Sequence, residues 1–172
     1  LVLEGLFGAV EKVVSTKELI DNKTLANLNI ECIVLKHTEE NCKLVKDYSY
    51  AEEIDYLVLQ SNRNNFISRL CSSLQGNTLC LYQLVEKHGT TLYDLMKDFD
   101  RKVFFVHGGT DAKTRNDIRG IVEKEKNAII IASYGTFSTG INIRNINNVV
   151  FSSPSKSRIR VLQSIGRGLR TS

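Results

Sequence analysis

The chain has little of several features that mark particular classes of protein. It contains a single proline among 172 residues, so a proline-rich linker is excluded. No apolar run approaches the roughly 18–20 residues that a membrane-spanning helix needs, which excludes a membrane protein. With 42% apolar and 24% charged residues, the composition is instead that of a soluble globular domain of ordinary size.

Cysteine is also scarce and irregularly placed, at positions 32, 42, 71 and 80. None of these residues forms the C-x-x-C pair of zinc or thiol-redox sites. Cys32, Cys71 and Cys80 lie in apolar segments, so we expect buried free thiols in a reducing compartment, with two disulfides as the alternative. The three histidines are scattered, and we assign no metal site.

Acidic residues are absent after Glu125. Residues 1–100 carry 10 Lys/Arg against 15 Asp/Glu, whereas residues 101–172 carry 13 against 4. Clustered cations raise the local affinity for phosphates, so this asymmetry favours a polyanionic partner for the second half of the chain. A merely solvated basic surface explains the charge equally well.

The first half of the chain reads as a connecting segment followed by mixed elements. Position 1 is Leu and no leader sequence follows, so we expect a piece of a longer polypeptide without a secretory signal. Ser15 or Thr16 is suited to cap a short helix. The pattern then predicts a strand over Asn27–His37, a polar stretch over 38–49, and helices from Tyr50 to about Leu74.

From Gly76 onward, short apolar runs alternate with amphipathic stretches. Strands are predicted over 77–84, 102–106, 128–132 and 148–152, and helices over 90–99, 111–126 and 155–170. This alternation predicts an α/β fold of three layers, with a mainly parallel central sheet and helices on both faces. Ligands of such sheets bind beyond the carboxyl ends of the strands, so the segments after each strand carry the candidate sites.

The last predicted helix places Gln163, Arg167 and Arg170 on one face, at spacing i, i+4, i+7. An apolar stripe on another side can pack against the sheet. Two guanidiniums held on one face suit a triphosphate whose negative charge grows in the transition state. The alternative is a basic helix end whose arginines complement the helix dipole.

Two further segments follow predicted strands. The loop with Ser133, Thr139, Gly140 and Asn142 offers hydroxyls and N–H groups to phosphates, and Asn142 suits a sugar hydroxyl. An ordinary polar turn is the alternative. The third segment joins His107-Gly108-Gly109 to Arg115 one turn into the next helix, and glycines there permit a ligand to approach the backbone. Taken alone, two glycines indicate a tight turn.

The order of these segments resembles the second RecA-like lobe of superfamily 2 helicases. Gln163-x-x-Gly166-Arg167-x-x-Arg170 matches motif VI, and residues 133–142 are similar to motif V, with Ser133 where Thr is usual and Asn142 where Asp is usual. Residues 77–83 are similar to motif IV. Phe7-Gly8 and residues 18–26 are similar to the segment that joins the two lobes in UvsW-type and XPB-like recombination and repair helicases.

The resemblance implies a division into a connecting segment, residues 1–25, and a motor lobe, residues 26–172. It implies that Arg167 and Arg170 act as arginine fingers and that Gln163 senses phosphate or positions water. Asn142 and Gly140 would contact the nucleotide. The strand-binding residues would be Ser133, Thr139, Gly108 and Arg115. The expected partners are DNA and the first lobe of the same polypeptide, in the cytoplasm, of the host cell if a phage encodes the chain.

The phosphate loop G-x-x-x-x-G-K-[ST] and the Asp-Glu metal motif of the first lobe are absent from the chain. ATP and Mg²⁺ are therefore expected only in the full-length enzyme, with Mg²⁺ held by the other lobe, and the fragment alone is expected to be inactive as an ATPase. One alternative is a non-catalytic nucleic-acid-binding α/β module. A dinucleotide- or nucleotide-sugar-binding enzyme is disfavoured because no G-x-G-x-x-G follows an early strand.

Overall fold

The computed structural model describes residues 15–22, 29–136, 143, 145–154, 157 and 161. Within the described residues, four helices precede the sheet: α1 (Thr16–Asp21), α2 (Glu39–Leu44), α3 (Tyr50–Leu59) and α4 (Ser61–Ser73). The hydroxyl of Ser15 accepts a hydrogen bond from the Glu18 N–H, and the Glu18 carboxylate accepts one from the Ser15 N–H, which confirms the predicted cap. Ser49 and Glu52 form the same capping box at α3.

Strands and helices alternate as predicted from residue 76 to the end of β4, and the helix predicted over 155–170 lies outside the described residues except for positions 157 and 161. Its elements are β1 (Thr78–Tyr82), a π-helical turn (Val85–Gly89), α5 (Thr90–Met96), β2 (Val103–Val106), α6 (Ala112–Val122), β3 (Ile129–Ser133) and β4 (Asn148–Phe151). The strands form one sheet in the order β2-β3-β1-β4, and all three pairings are parallel. The predicted α/β fold with a parallel sheet is confirmed.

Helices cover both faces of this sheet. On one face, α4 and α5 contribute Ile67, Cys71, Leu92 and Met96, which pack against β1 and β3. On the other face, Val122 of α6 packs against the opposite side chains of the same strands. Every residue of β1 and β3 is buried, because each of these central strands has a neighbour on both sides and helices on both faces. The three-layer arrangement is confirmed.

Polar side chains tie together the loops that enter the strands. The amide of Asn77 donates to the carbonyl oxygens of Glu125 and Asn145 at 2.8 and 3.1 Å, and its oxygen accepts from the Ala128 N–H at 2.8 Å. Arg101 donates to six carbonyl oxygens around the end of α4 and the start of β3. These residues precede β1 and β2, so the amino-terminal edge of the sheet is closed by hydrogen bonds.

The strand predicted over Asn27–His37 is wrong for the residues that the structure describes. Residues 29–38 contain no strand, and Ile30, Ile33 and Val34 are exposed. The alternation of apolar side chains favours an extended backbone, but a strand also needs a neighbour to accept its hydrogen bonds, and the described residues provide none here. Cys32 is consequently exposed as well, against the expectation that it is buried.

Smaller departures have local causes. The polar stretch over 38–49 contains the short helix α2, which Thr38 caps through its hydroxyl. Helix α6 ends at Val122 rather than near residue 126, and helix α5 ends at Met96 rather than near residue 99. All four cysteines are free. A hydrogen bond to Cys80, together with burial, raises the pKa of the Cys71 thiol, so this thiol stays protonated.

Candidate functional site

The carboxyl ends of the four strands lie along one edge of the sheet. Tyr82 pairs with Ser133, Leu81 pairs with both Ala132 and Phe151, and Val106 pairs with Ala132. The segments that follow these residues therefore emerge side by side. This edge is where ligands of open parallel sheets bind, so we describe it as the candidate site and call it the carboxyl edge.

Ser133 is the last residue of β3 and is almost fully buried. Its hydroxyl oxygen lies 2.7 Å from Oγ1 of Thr136 and accepts a hydrogen bond from the Thr136 N–H at 3.2 Å. Ser133 thus caps a helical turn over residues 134–136, as serine commonly does before a helix. The hydroxyl holds the start of the motif V-like segment in place, and Thr136 is a partner that the sequence analysis did not single out.

Gly108 lies two residues beyond the end of β2, and β2 is the strand next to β3 in the sheet. The turn that contains it is held by His107 and Thr110: the Thr110 hydroxyl accepts from the His107 N–H, and the His107 ring accepts from the Gly109 N–H, each at 3.1 Å. Gly108 is exposed, and a side chain added there would meet nothing within 4 Å. The structure therefore leaves the backbone of Gly108 open to approach, as predicted.

Arg115 lies one turn into α6 and is partly buried. Asp111 caps this helix, and hydrogen bonds from the side chain and backbone of Thr114 hold the pKa of the Asp111 carboxyl below its usual range. The Nε atom of Arg115 is buried and has no hydrogen-bond partner among the described residues. The ion pairs between described residues do not include the Arg115 guanidinium.

The structure brings three of the predicted residues, Gly108, Arg115 and Ser133, to the carboxyl edge or to the helix that starts beside it. The other six lie outside the described residues and stay predictions: Thr139, Gly140, Asn142, Gln163, Arg167 and Arg170. The predicted boundary between a connecting segment and the lobe, at residues 25 and 26, also lies outside them.

Three polar residues at the carboxyl edge were missed by the sequence analysis. His88 and Ser153 are buried side by side, with Nδ1 and Oγ 2.9 Å apart, and Arg63 donates to the Ser152 carbonyl oxygen. Burial, and secondarily the charge of Arg63, lowers the pKa of His88 to about 4, so its imidazole is neutral at pH 7. Ser153 was detectable by the strand-end rule, whereas isolated His and Arg residues in helical segments carried no signal.

The donor set of the described residues is unsuited to a metal ion. No group of three or more His, Cys, Asp or Glu side chains converges anywhere in this part of the chain. The carboxyl edge presents hydroxyls, N–H groups and cations instead, which are ligands for phosphate oxygens. A search of the described helices likewise finds none with the length and apolarity to cross a membrane.

A parallel sheet covered on both faces, with polar loops and cations gathered at its carboxyl edge, defines a RecA-like α/β lobe. Residues 61–172 match the family described as "Helicase conserved C-terminal domain", and the chain belongs to that family.

Similar proteins are known in sequence and in structure. The chain is 38% identical over 169 residues to the ATP-dependent DNA helicase uvsW of Enterobacteria phage T4. The matched region covers 96% of this chain and 34% of that protein. The crystal structure of T4 UvsW matches with a TM-score of 0.66 and 37% identity, over 76% of this chain and 27% of that one. The C-terminal part of the Fun30 ATPase domain shares the fold, with a TM-score of 0.56 and 18% identity, over 77% of this chain and 50% of that one. The chain thus spans about a third of the length of its phage relative.

Proposed function

We propose that this chain is the C-terminal motor lobe of an ATP-dependent DNA helicase or translocase. The observation that carries the proposal is the carboxyl edge, where Gly108, Ser133 and the Ser152–Ser153 segment follow β2, β3 and β4 of one parallel sheet. Membership of the helicase C-terminal family and the 38% identity to the phage helicase uvsW support the same conclusion.

ATP binds in a cleft between two lobes, and this chain closes one side of it. Arg167 and Arg170 reach the γ-phosphate and neutralise the negative charge that develops there during hydrolysis. Gln163, on the same predicted helix face, senses the phosphate or positions the attacking water. Asn142 donates to a ribose hydroxyl, and Gly140 lets the nucleotide approach the backbone. These roles are supported by the match of residues 163–170 and 133–142 to motifs VI and V.

The DNA strand runs along the carboxyl edge and is held by its phosphates. The Gly108 backbone is open to approach, and the partly buried Arg115 supplies a cation from the first turns of α6. Thr139 adds a hydroxyl, while Ser133, whose own hydroxyl is engaged with Thr136, keeps the loop that carries Thr139 anchored to β3. Phosphate contacts of this kind bind DNA with strong salt dependence and little sequence preference.

The described residues do not fit a Mg²⁺ site, because they contain no converging set of carboxylates, and the sequence has no phosphate loop. We assign the Mg²⁺ site and the phosphate loop to the other lobe. The residues of this chain supply cations and hydrogen-bond donors.

The experiment that tests the proposal compares ATP hydrolysis by the full polypeptide with hydrolysis by the 172-residue chain, each with and without single-stranded DNA. The full polypeptide should hydrolyse ATP faster when DNA is added, and a rise in salt should remove this stimulation. The 172-residue chain should show no turnover above background. DNA binding without any ATP hydrolysis by the full polypeptide would favour the alternative, a non-catalytic DNA-binding module, for which the basic second half is the supporting observation.

A further inference from the structure

Two serines just after β4 are held by an unusual number of hydrogen bonds. Both the N–H and the hydroxyl of Ser152 donate to the Leu81 carbonyl oxygen, at 2.9 and 2.7 Å. The hydroxyl oxygen of Ser153 accepts from the Gln83 N–H at 3.1 Å, and its carbonyl oxygen accepts from the Tyr134 hydroxyl at 2.9 Å. The exit of β4 is thereby fastened to the ends of both β1 and β3.

His88 completes this arrangement from a π-helical turn. The N–H groups of His88 and Gly89 both donate to the Leu84 carbonyl oxygen, which widens the turn and places the imidazole inward. A Cβ atom at Gly89 would lie 2.5 Å from the ring of Tyr82, so the turn fits only with glycine there. The imidazole is fully buried, and its Nδ1 lies 2.9 Å from Oγ of Ser153.

A cation and one hydroxyl group lie beside the His88 imidazole. Arg63 donates to the Ser152 carbonyl oxygen, forms no ion pair with a described residue, and is close enough for its charge to help lower the pKa of His88. The other imidazole nitrogen, Nε2, is buried and has no hydrogen-bond partner among the described residues. The hydrogen bond that holds the ring to the exit of β4 is therefore the one between Nδ1 and the Ser153 hydroxyl, and either of these groups can supply the proton.

This arrangement is costly for a purely structural purpose. Burying a neutral imidazole and a guanidinium, each with an unpartnered nitrogen, is unfavourable compared with an apolar cluster of the same volume. A role in positioning accounts for this cost. The hydroxyl of Tyr134 donates to the Ser153 carbonyl oxygen, and the two segments that carry the predicted nucleotide- and DNA-binding residues begin directly after these two residues. Ser153 lies ten residues before Gln163.

We propose that His88 is a positioning residue of the motor lobe: the hydrogen bond between its Nδ1 and the Ser153 hydroxyl fixes Ser153 and so sets the spacing between the segment that follows β3 and the segment that follows β4. The proposal rests on the proposed function, since it assigns those segments to ATP and DNA. His88 itself contacts neither ligand. Its loss should therefore lower the rate of hydrolysis at saturating ATP without weakening ATP binding.

The test uses two amide variants in the full polypeptide. The side-chain nitrogen of asparagine can occupy the position of Nδ1, whereas the amide of glutamine extends to the position of Nε2. His88→Asn should retain DNA-stimulated hydrolysis within about twofold, while His88→Gln should lower kcat by about tenfold or more, with the KM for ATP unchanged. Ser153→Ala, which removes the hydroxyl partner while leaving the imidazole in place, should match His88→Gln.

Hydrogen exchange of the peptide that spans residues 150–161 gives a readout that does not depend on activity. Exchange should be faster in His88→Gln and Ser153→Ala than in His88→Asn and the unaltered protein. Equal behaviour of the two amide variants, whether both are impaired or both are normal, would overturn the positioning role. If the unaltered polypeptide hydrolyses no ATP, the proposed function fails, but the exchange contrast still decides whether His88 fixes Ser153.

Discussion

The two edges of the sheet differ in how their polar groups are hydrogen-bonded. At the amino-terminal edge, Asn77 and Arg101 direct nearly all of their donors to carbonyl oxygens of the loops that enter the strands. At the carboxyl edge, Gly108 is exposed with open space around it, and Arg115 and His88 each keep a buried nitrogen without a described partner. The amino-terminal edge is thus closed by hydrogen bonds between the entering loops, although Asn145 Oδ1 is buried there without a described partner. The carboxyl edge combines the hydrogen-bonded Ser152 and Ser153 with the open backbone of Gly108, and this is the edge where ligands of parallel sheets bind.

The largest effect on stability should follow from Asn77→Ala at the amino-terminal edge. The substitution leaves the Ala128 N–H and the carbonyl oxygens of Glu125 and Asn145 without their hydrogen-bond partner in a buried site. We expect a loss of about 3–4 kcal/mol in the free energy of unfolding, measured by urea denaturation. The exposed Asn127→Ala is the matched control and should change stability by less than about 0.5 kcal/mol. A loss of similar size in both variants would remove the contrast between the edges.

The carboxyl edge should carry a pH-dependent share of stability through His88. The pKa of His88 falls from 6.5 to about 4 on folding, so the unfolded chain binds a proton that the folded chain excludes. Stability contributed by the neutral imidazole is complete above pH 6.5 and declines as the pH falls towards 4, by about 3 kcal/mol in all. Urea denaturation across this range measures the decline.

A matched pair of variants isolates the contribution of His88 to that profile. His88→Asn removes the titrating group and should flatten the decline, whereas His37→Ala removes an exposed histidine and should leave it intact. A decline that persists unchanged in His88→Asn would show that other groups govern the acid stability of the fold.

The smallest effect on stability should come from Gly108. Because its backbone has no left-handed conformation and its surroundings are open, Gly108→Leu should change the free energy of unfolding by less than about 0.5 kcal/mol. The bulky side chain should nevertheless raise the Kd for single-stranded DNA by about three- to tenfold, the equivalent of one lost hydrogen bond. Fluorescence anisotropy on the full polypeptide measures this. Unchanged DNA affinity would mean that the strand does not pass this turn.

Sequence patterns predicted the described strands and helices from β1 to β4 well, because the signals for these elements are local in the sequence. Continuous apolar runs such as residues 128–132 occur in strands buried on both faces, and Asp111 is a helix cap that is readable from its position alone. The segment 29–38 misled the analysis for the opposite reason, since a strand depends on a partner that alternation does not reveal.

The candidate site was predictable only in part. The strand-end rule found Gly108 and Ser133, because both directly follow apolar runs. It did not find Arg63 or His88. Arg63 contacts Ser152, which is 89 residues away in the sequence, and His88 contacts Ser153, which is 65 residues away. Such contacts depend on the tertiary fold, and no spacing within one helix or strand indicates them.

The central claim, that the carboxyl edge completes an ATP site shared with another lobe, is tested most directly by kcat for ATP hydrolysis in three variants of the full polypeptide. Arg167→Ala and Arg170→Ala should each lower kcat by about 10³-fold with ATP binding retained, because they remove charge that acts only in the transition state. Arg158→Ala is the control, since Arg158 lies about 180° from Arg167 around the predicted helix, and it should keep kcat within about twofold. An unchanged kcat in Arg167→Ala and Arg170→Ala, or an equal loss in all three variants, would contradict the account.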